Sequence, residues 1–98
     1  MKSEYKKRKV DFSHGFHIGD LIVARSYGIR VPEVPYRGII TEIEVIETWV
    51  NGNVQPDKTR RILKVSWFGH HSKDEIHLHR LQGRINHDKW EHYPIKTK

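Results

Sequence analysis

The run Arg61-Ile62-Leu63-Lys64-Val65-Ser66-Trp67-Phe68-Gly69 alternates apolar and polar side chains through its middle and ends in two aromatics and a glycine. A period of two reads as a strand with one packed face. Leu63, Val65 and Trp67 fall on that face, with Lys64 and Ser66 on the other. Such a strand needs neighbours, and the stretch before it supplies the first. Tyr36 to Val50 (YRGIITEIEVIETWV) is fifteen residues of strand-forming sequence, longer than most strands. Ile39, Thr41, Ile43 and Val45 define one face, and after Val45 the apolar positions move to Ile46, Thr48 and Val50. That change of phase predicts a bulge or sharp bend.

Asn51-Gly52-Asn53 marks a turn, and the polar stretch to Lys58 makes an enlarged hairpin loop. Complementarity across the hairpin sets Ile43 against Val65, Val45 against Leu63 and Ile46 against Ile62, with Glu44 facing Lys64 and Glu47 facing Arg61. The charged rows then form a cross-strand ladder on a solvated face.

The other elements follow more briefly. Residues 11–20 form a turn-rich lead-in, with Phe12 and Phe16 capping the core. A first strand covers 20–27, and the loop 28–35 (GIRVPEVP) follows, because its two prolines lack the donors a ladder needs. His70 to Lys73 is a turn. Residues 74–81 (DEIHLHRL) read as a short strand with Ile76 and Leu78 inward and His77 and His79 outward. Residues 86–93 read as one helical or 3₁₀ turn capped by Asn86, with Trp90 reaching back to the core and Pro94 ending it. The sum is a mainly β chain: a single small SH3-like barrel of four to five antiparallel strands, with a short C-terminal helical turn and basic tails. Residues 1–10 are a basic arm, 11–95 the barrel and 96–98 a basic tail.

The net charge of +6 is unevenly placed. Lys2, Lys6, Lys7, Arg8 and Lys9 stand against Glu4 alone, and Lys96 with Lys98 supply the remainder, so the body between Val10 and Ile95 is nominally neutral. An arm of this kind is mobile unless it docks on phosphate or on an acidic protein surface. The candidate contacts for nucleic acid or a partner are Lys2, Lys6, Lys7, Arg8, Lys9, Arg60 and Arg61.

The absence of cysteine removes disulfides and thiolate chemistry. No apolar run is long enough for a membrane span or a signal peptide, so the expected location is the cytoplasm or a virion. No nucleophile with a base, no paired carboxylates and no phosphate-cradling glycine loop is legible, and the chain reads as a non-enzyme without a cofactor or a small-molecule substrate. Among the eight histidines, His77 and His79 sit two apart on one strand face and come nearest to a metal pair, but exposed strand histidines without a ligand spacing read as surface residues.

Gly19-Asp20-Leu21-Ile22-Val23-Ala24-Arg25, the proline-bearing loop, Val65-Ser66-Trp67-Phe68-Gly69, a short strand and Leu81 together resemble the PWWP domains and, more loosely, the Tudor and chromo-barrel group. The resemblance covers Phe16 to Leu81. It implies an SH3-like barrel that reads methylated lysine through a cage of three aromatics, with Trp67 in place of the last. The family's tryptophan–proline motif is replaced here by Arg30-Val31-Pro32-Glu33-Val34-Pro35, which leaves Tyr27 and Tyr36, flanking the loop, as substitutes. By its phase Trp67 is more simply a core residue. In size and architecture the chain is also similar to small stand-alone SH3-like barrels of bacteriophages. The expected function is a structural or adaptor part of a larger assembly, such as a virion, that binds other protein subunits through the arm and two long loops. The alternative is a nucleic-acid or chromatin reader that uses the arm.

Overall fold

A computed structural model describes residues 3–69, 73–87 and 89–95. Its elements are β1 (Ser3–Val10), β2 (Phe12–Ser13), β3 (Phe16–His17), β4 (Leu21–Ala24), β5 (Tyr36–Val50), β6 (Asn53–Val54), a 3₁₀ turn (Pro56–Lys58), β7 (Arg60–Trp67), β8 (Lys73–His77), α1 (Leu78–Asn86) and β9 (Trp90–Tyr93). The fold is mainly antiparallel β with one short helix. The main sheet runs β8-β7-β5-β4-β9, and β1 and β6 also pair with β5. The path is open, since β8 and β9 are its two ends and do not pair with each other. Helix α1 connects these ends and buries Leu78 and Leu81 in the core, with Ile85 packed against it.

β5 is the spine, and it spans the whole molecule. Fifteen residues of strand at a rise of about 3.3 Å cover about 50 Å, close to the longest dimension of 52 Å. Its first half pairs with β4 on one edge and β7 on the other; its second half pairs with β1 and, at the tip, with β6. The core of Ile22, Ala24, Ile40, Ile43, Leu63, Val65 and their neighbours lies against the first half. The radius of gyration, 15.3 Å, exceeds the roughly 13 Å of a compact chain of this length, as the β1–β5–β6 ribbon requires.

The bulge in β5 lies at Thr41, four residues earlier than the phase change in the sequence: Ile40 pairs with Val65 and Glu42 with Lys64, so Thr41 is the extra residue. Ile40 and Ile43 therefore point the same way and are fully buried, while Thr41 is exposed. The hairpin register is shifted by two from the expected one, with Ile43 opposite Leu63, Glu44 opposite Ile62 and Val45 opposite Arg61. From Glu42 onward the shift of two keeps each side chain on its face, and Leu63, Val65 and Trp67 are buried as expected; before the bulge the shift is three, so Ile40 takes the core face in place of the expected Ile39 and Thr41. The cause is the connection. Asn51 (φ 52°) and Gly52 (φ 79°) form a tight turn, and β6 folds straight back on Trp49 and Val50 before the 3₁₀ turn absorbs further residues.

Other expectations need correcting. The basic arm is a strand: β1 pairs along its whole length with Ile43 to Val50. Phe16 is buried but Phe12 is 52% exposed. The short strand 74–81 ends at His77, because Leu78, Leu81 and Ile85 continue at helical spacing as α1. The helical turn expected at 86–93 is instead the end of α1 followed by β9, which pairs with β4. Trp90 nevertheless reaches the core, at 2% exposure. The turn at His70, His71 and Ser72, together with Lys2, Lys96 and Lys98, lies outside the described residues.

A buried carboxylate ties the two ends of the body together. Asp20 has no exposed surface. It accepts hydrogen bonds from the backbone N–H of His17 (2.8 Å), the backbone N–H of Ile95 (2.8 Å) and the His92 ring at Nε2 (2.7 Å). Burial pushes its carboxyl up, but the bonds from Ile95, His17 and His92 outweigh burial and hold it below its ordinary value.

Candidate recognition pocket

The loop after β4 turns sharply at Gly28 (φ 64°), where Tyr27 and Arg30 exchange backbone hydrogen bonds of 2.8 and 3.0 Å. That turn carries Tyr27 back over the sheet, next to Tyr36 at the start of β5 and Trp67 at the end of β7. The three aromatics singled out in the sequence meet. The ring centroids of Tyr27 and Tyr36 lie 6.1 Å apart at 89°, and those of Tyr27 and Trp67 lie 6.2 Å apart at 86°. With Gly28, Ile29, Arg30 and Asp74 they line an open cavity of about 490 Å³.

Trp90 and Asp74 hold these walls in place. Trp90 stacks on Tyr27 at 6.0 Å, meets Trp67 edge-on at 5.4 Å and donates its indole N–H to the Ser26 carbonyl at 2.8 Å. On Trp90 also lies the Arg84 guanidinium, 4.6 Å from the ring centroid. The Asp74 Oδ2 accepts from the Trp67 indole N–H at 2.7 Å and from the Tyr27 hydroxyl. That second bond, with burial and the Asp74 charge, pushes the Tyr27 hydroxyl up to about 12, so the ring stays neutral across the physiological range. Because both donors land on Oδ2, Oδ1 makes no hydrogen bond among the described residues.

Aromatic rings that meet edge to face beside a carboxylate are a combination that can hold an organic cation. The ring quadrupoles attract positive charge, and the carboxylate adds a directional acceptor for an N–H. Arg30 lines the same cavity and opposes a cation, so the carboxylate matters to the balance. Trp67 is thus both things the sequence allowed: only 6% exposed, part of the core, and one wall of the pocket. Reading the sequence sent Trp90 toward the core but gave neither it nor Asp74 a place at the pocket. Asp74 shares the alternation of Ile76 and Leu78, and a carboxylate in phase with buried residues was the available signal.

The candidate phosphate contacts do not form one patch. Partners across an antiparallel pair share a face, which places Lys6, Arg8 and Arg61 on one side of the sheet with Val45, and Lys7, Lys9 and Arg60 on the other with Ile46. Several are already engaged. Lys6 sits 4.0 Å over the Trp49 ring, Arg8 lies 3.7 Å from Glu47, and Lys9 lies 2.8 Å from Glu42. The expected charge ladder exists with changed partners, since Lys64 reaches Glu42 (2.7 Å), Glu44 (3.6 Å) and Glu75 (3.7 Å). Hydrogen bonds from Lys64 and then Lys9 lower the Glu42 carboxyl to about 2.

His77 ends β8 and His79 lies in the first turn of α1, so they do not share a strand face; their rings are 5.7 Å apart. Among the described residues no three His, Cys, Asp or Glu side chains gather as a metal site, and no helix is long and apolar enough to cross a membrane. Compared with known proteins, the chain matches no family model, no curated sequence and no solved structure.

Proposed function

We propose that this chain is a binding module, not an enzyme, and that it takes a cationic side chain of a protein partner into the pocket of Tyr27, Tyr36, Trp67 and Asp74. Three aromatic faces and one carboxylate around a single cavity carry this reading. The Oδ1 of Asp74, without a hydrogen bond among the described residues, favours a cation that keeps an N–H, such as lysine, its partly methylated forms or arginine, over a fully methylated one. A protein partner is supported by the loop beside the pocket, where Ile29, Val31 and Val34 are 101%, 78% and 72% exposed. Three exposed aliphatic side chains on one short loop fit an apolar contact surface better than a phosphate backbone. The module is an adaptor within a larger assembly.

The strand path supports an SH3-like arrangement. Four strands, β4, β5, β7 and β8, follow one another as antiparallel neighbours, a helix crosses over, and β9 returns beside β4. The pocket lies between the first connection of that path and the adjoining ends of β5, β7 and β8. NMR titration with peptides bearing unmodified, mono-, di- and trimethylated lysine, arginine or acetyl-lysine tests the function. Saturable shifts at 27–30, Tyr36 and Trp67, strongest for dimethyl-lysine and missing for acetyl-lysine, are expected. Equal binding of the neutral acetyl-lysine peptide, or shifts confined to other residues, overturns the proposal.

A further inference from the structure

β1 is an edge strand covered on neither face. Its inner edge pairs with β5 from Ser3↔Val50 to Val10↔Ile43, and its outer edge meets no other strand among the described residues. Seven of its eight residues are exposed, and only Val10 packs on the core. The unpaired N–H and C=O groups of such an edge are a template for another strand.

The side chains decide which strand. A second copy is disfavoured: in antiparallel self-pairing of β1 near its centre, Lys6 opposes Lys7 in one register, Lys6 opposes Arg8 and Lys7 opposes itself in the next, and Lys6 opposes Lys9 and Lys7 opposes Arg8 in the one after, and like charges directly opposite are unfavourable. Nucleic acid is less well served, because the cations alternate between two faces and Arg8 and Lys9 are already paired with Glu47 and Glu42. An extended acidic segment meets both conditions. Its backbone completes the ladder, and carboxylates at every second position fall on a single face of it, where they can meet Lys7, which carries no ion pair among the described residues, and its face neighbour Lys9.

We propose that the outer edge of β1 is a second binding site, separate from the aromatic pocket, that captures an acidic extended segment of a partner protein by strand addition. Lys7, exposed and making no ion pair among the described residues, is the cation most available to it.

A ten-residue peptide alternating glutamate with valine or threonine is the probe, followed by calorimetry and by amide hydrogen exchange on the intact chain. Binding that slows exchange within residues 3–10 is expected. Methylating the peptide's backbone nitrogens along one edge should weaken it at least tenfold, and Lys7→Glu at least fivefold. Three results would overturn the proposal: equal binding of the N-methylated peptide, which means charge without strand addition; duplex DNA that protects the same amides and displaces the peptide; or sedimentation of a dimer closed through residues 3–10. The Lys7→Glu variant should melt with the parent, and the N-methylated peptide tests the strand geometry even if it does not.

Discussion

The two halves of β5 live in different surroundings. From Tyr36 to Ile43 the strand is flanked by β4 and β7 and covered by a core that leaves Ile40 and Ile43 without exposed surface. From Glu44 to Val50 it is flanked on one edge by β1, a strand exposed on both faces, and on the other by β7 only as far as Ile46 and by the two residues of β6 at the tip, and residues 47–50 are all only half-buried. The bulge at Thr41 stands near the division. One half holds its pairing by burying apolar surface; the other buries only Val45 and Ile46 and beyond them relies on backbone bonds and charge pairs, which are individually weak in water. The molecule thus separates a rigid body, which shapes the pocket, from a loosely held ribbon, which presents an edge.

The largest effect should come from the body. Asp20→Ala leaves the His17 and Ile95 amides and the His92 ring nitrogen without an acceptor, and should cost about 3–5 kcal/mol by chemical denaturation. A loss below about 1 kcal/mol would mean that Asp20 does not tie β9 to the body. Gly38→Ala comes next. A Cβ there would lie 2.7 Å from Trp67 Cε3, 2.8 Å from Val65 Cγ1 and 2.9 Å from the Ser66 carbonyl, and the overpacking should cost about 1–3 kcal/mol. Because Trp67 is one of the displaced groups, the variant should also lose affinity in the pocket.

Acid should act on both regions in sequence. A carboxyl whose folded pKa lies below its unfolded value stabilises the fold above the unfolded value, and that stabilisation disappears as pH falls through the folded one. For Glu42, which links β1 to β7, the window opens near the ordinary value of 4.5 and closes near 2; for Asp20 it opens lower, at 3.8. Amide exchange in the ribbon should therefore quicken before the body melts. The Glu42 contribution should shrink in high salt, whereas that of Asp20, with no exposed surface, should persist. The smallest effect is expected of Lys7→Ala, within about 0.5 kcal/mol of the parent. A larger loss would show that β1 is held by more than its pairing with β5.

The parts of the fold that were legible in the sequence are those fixed by a single strong period. The limits of β5, the packed face of β7 and the proline loop were all readable. The bulge was misplaced because Ile39 and Ile40 are both apolar, so alternation cannot say which points inward. Helix α1 was hidden because DEIHLHRL alternates like a strand for four residues before Leu78, Leu81 and Ile85 set a helical spacing. Tyr27, Tyr36 and Trp67 were visible as candidates but not as a site, since only the turn at Gly28 brings Tyr27 over the sheet. The basic arm showed its charge plainly. Its pairing with β5 did not show, because an edge strand exposed on both faces carries no hydrophobic period.

The central claim is that the body's pocket recognises charge and not merely shape. The direct test is calorimetry of a dimethyl-lysine peptide against its neutral carbon isostere, in which a CH replaces the ammonium N–H with little change in volume. Cation–π attraction and the Asp74 carboxylate predict at least tenfold tighter binding of the cation, with most of that preference lost in Asp74→Asn. Equal affinity for the two peptides would contradict the account and leave the pocket a purely apolar cleft.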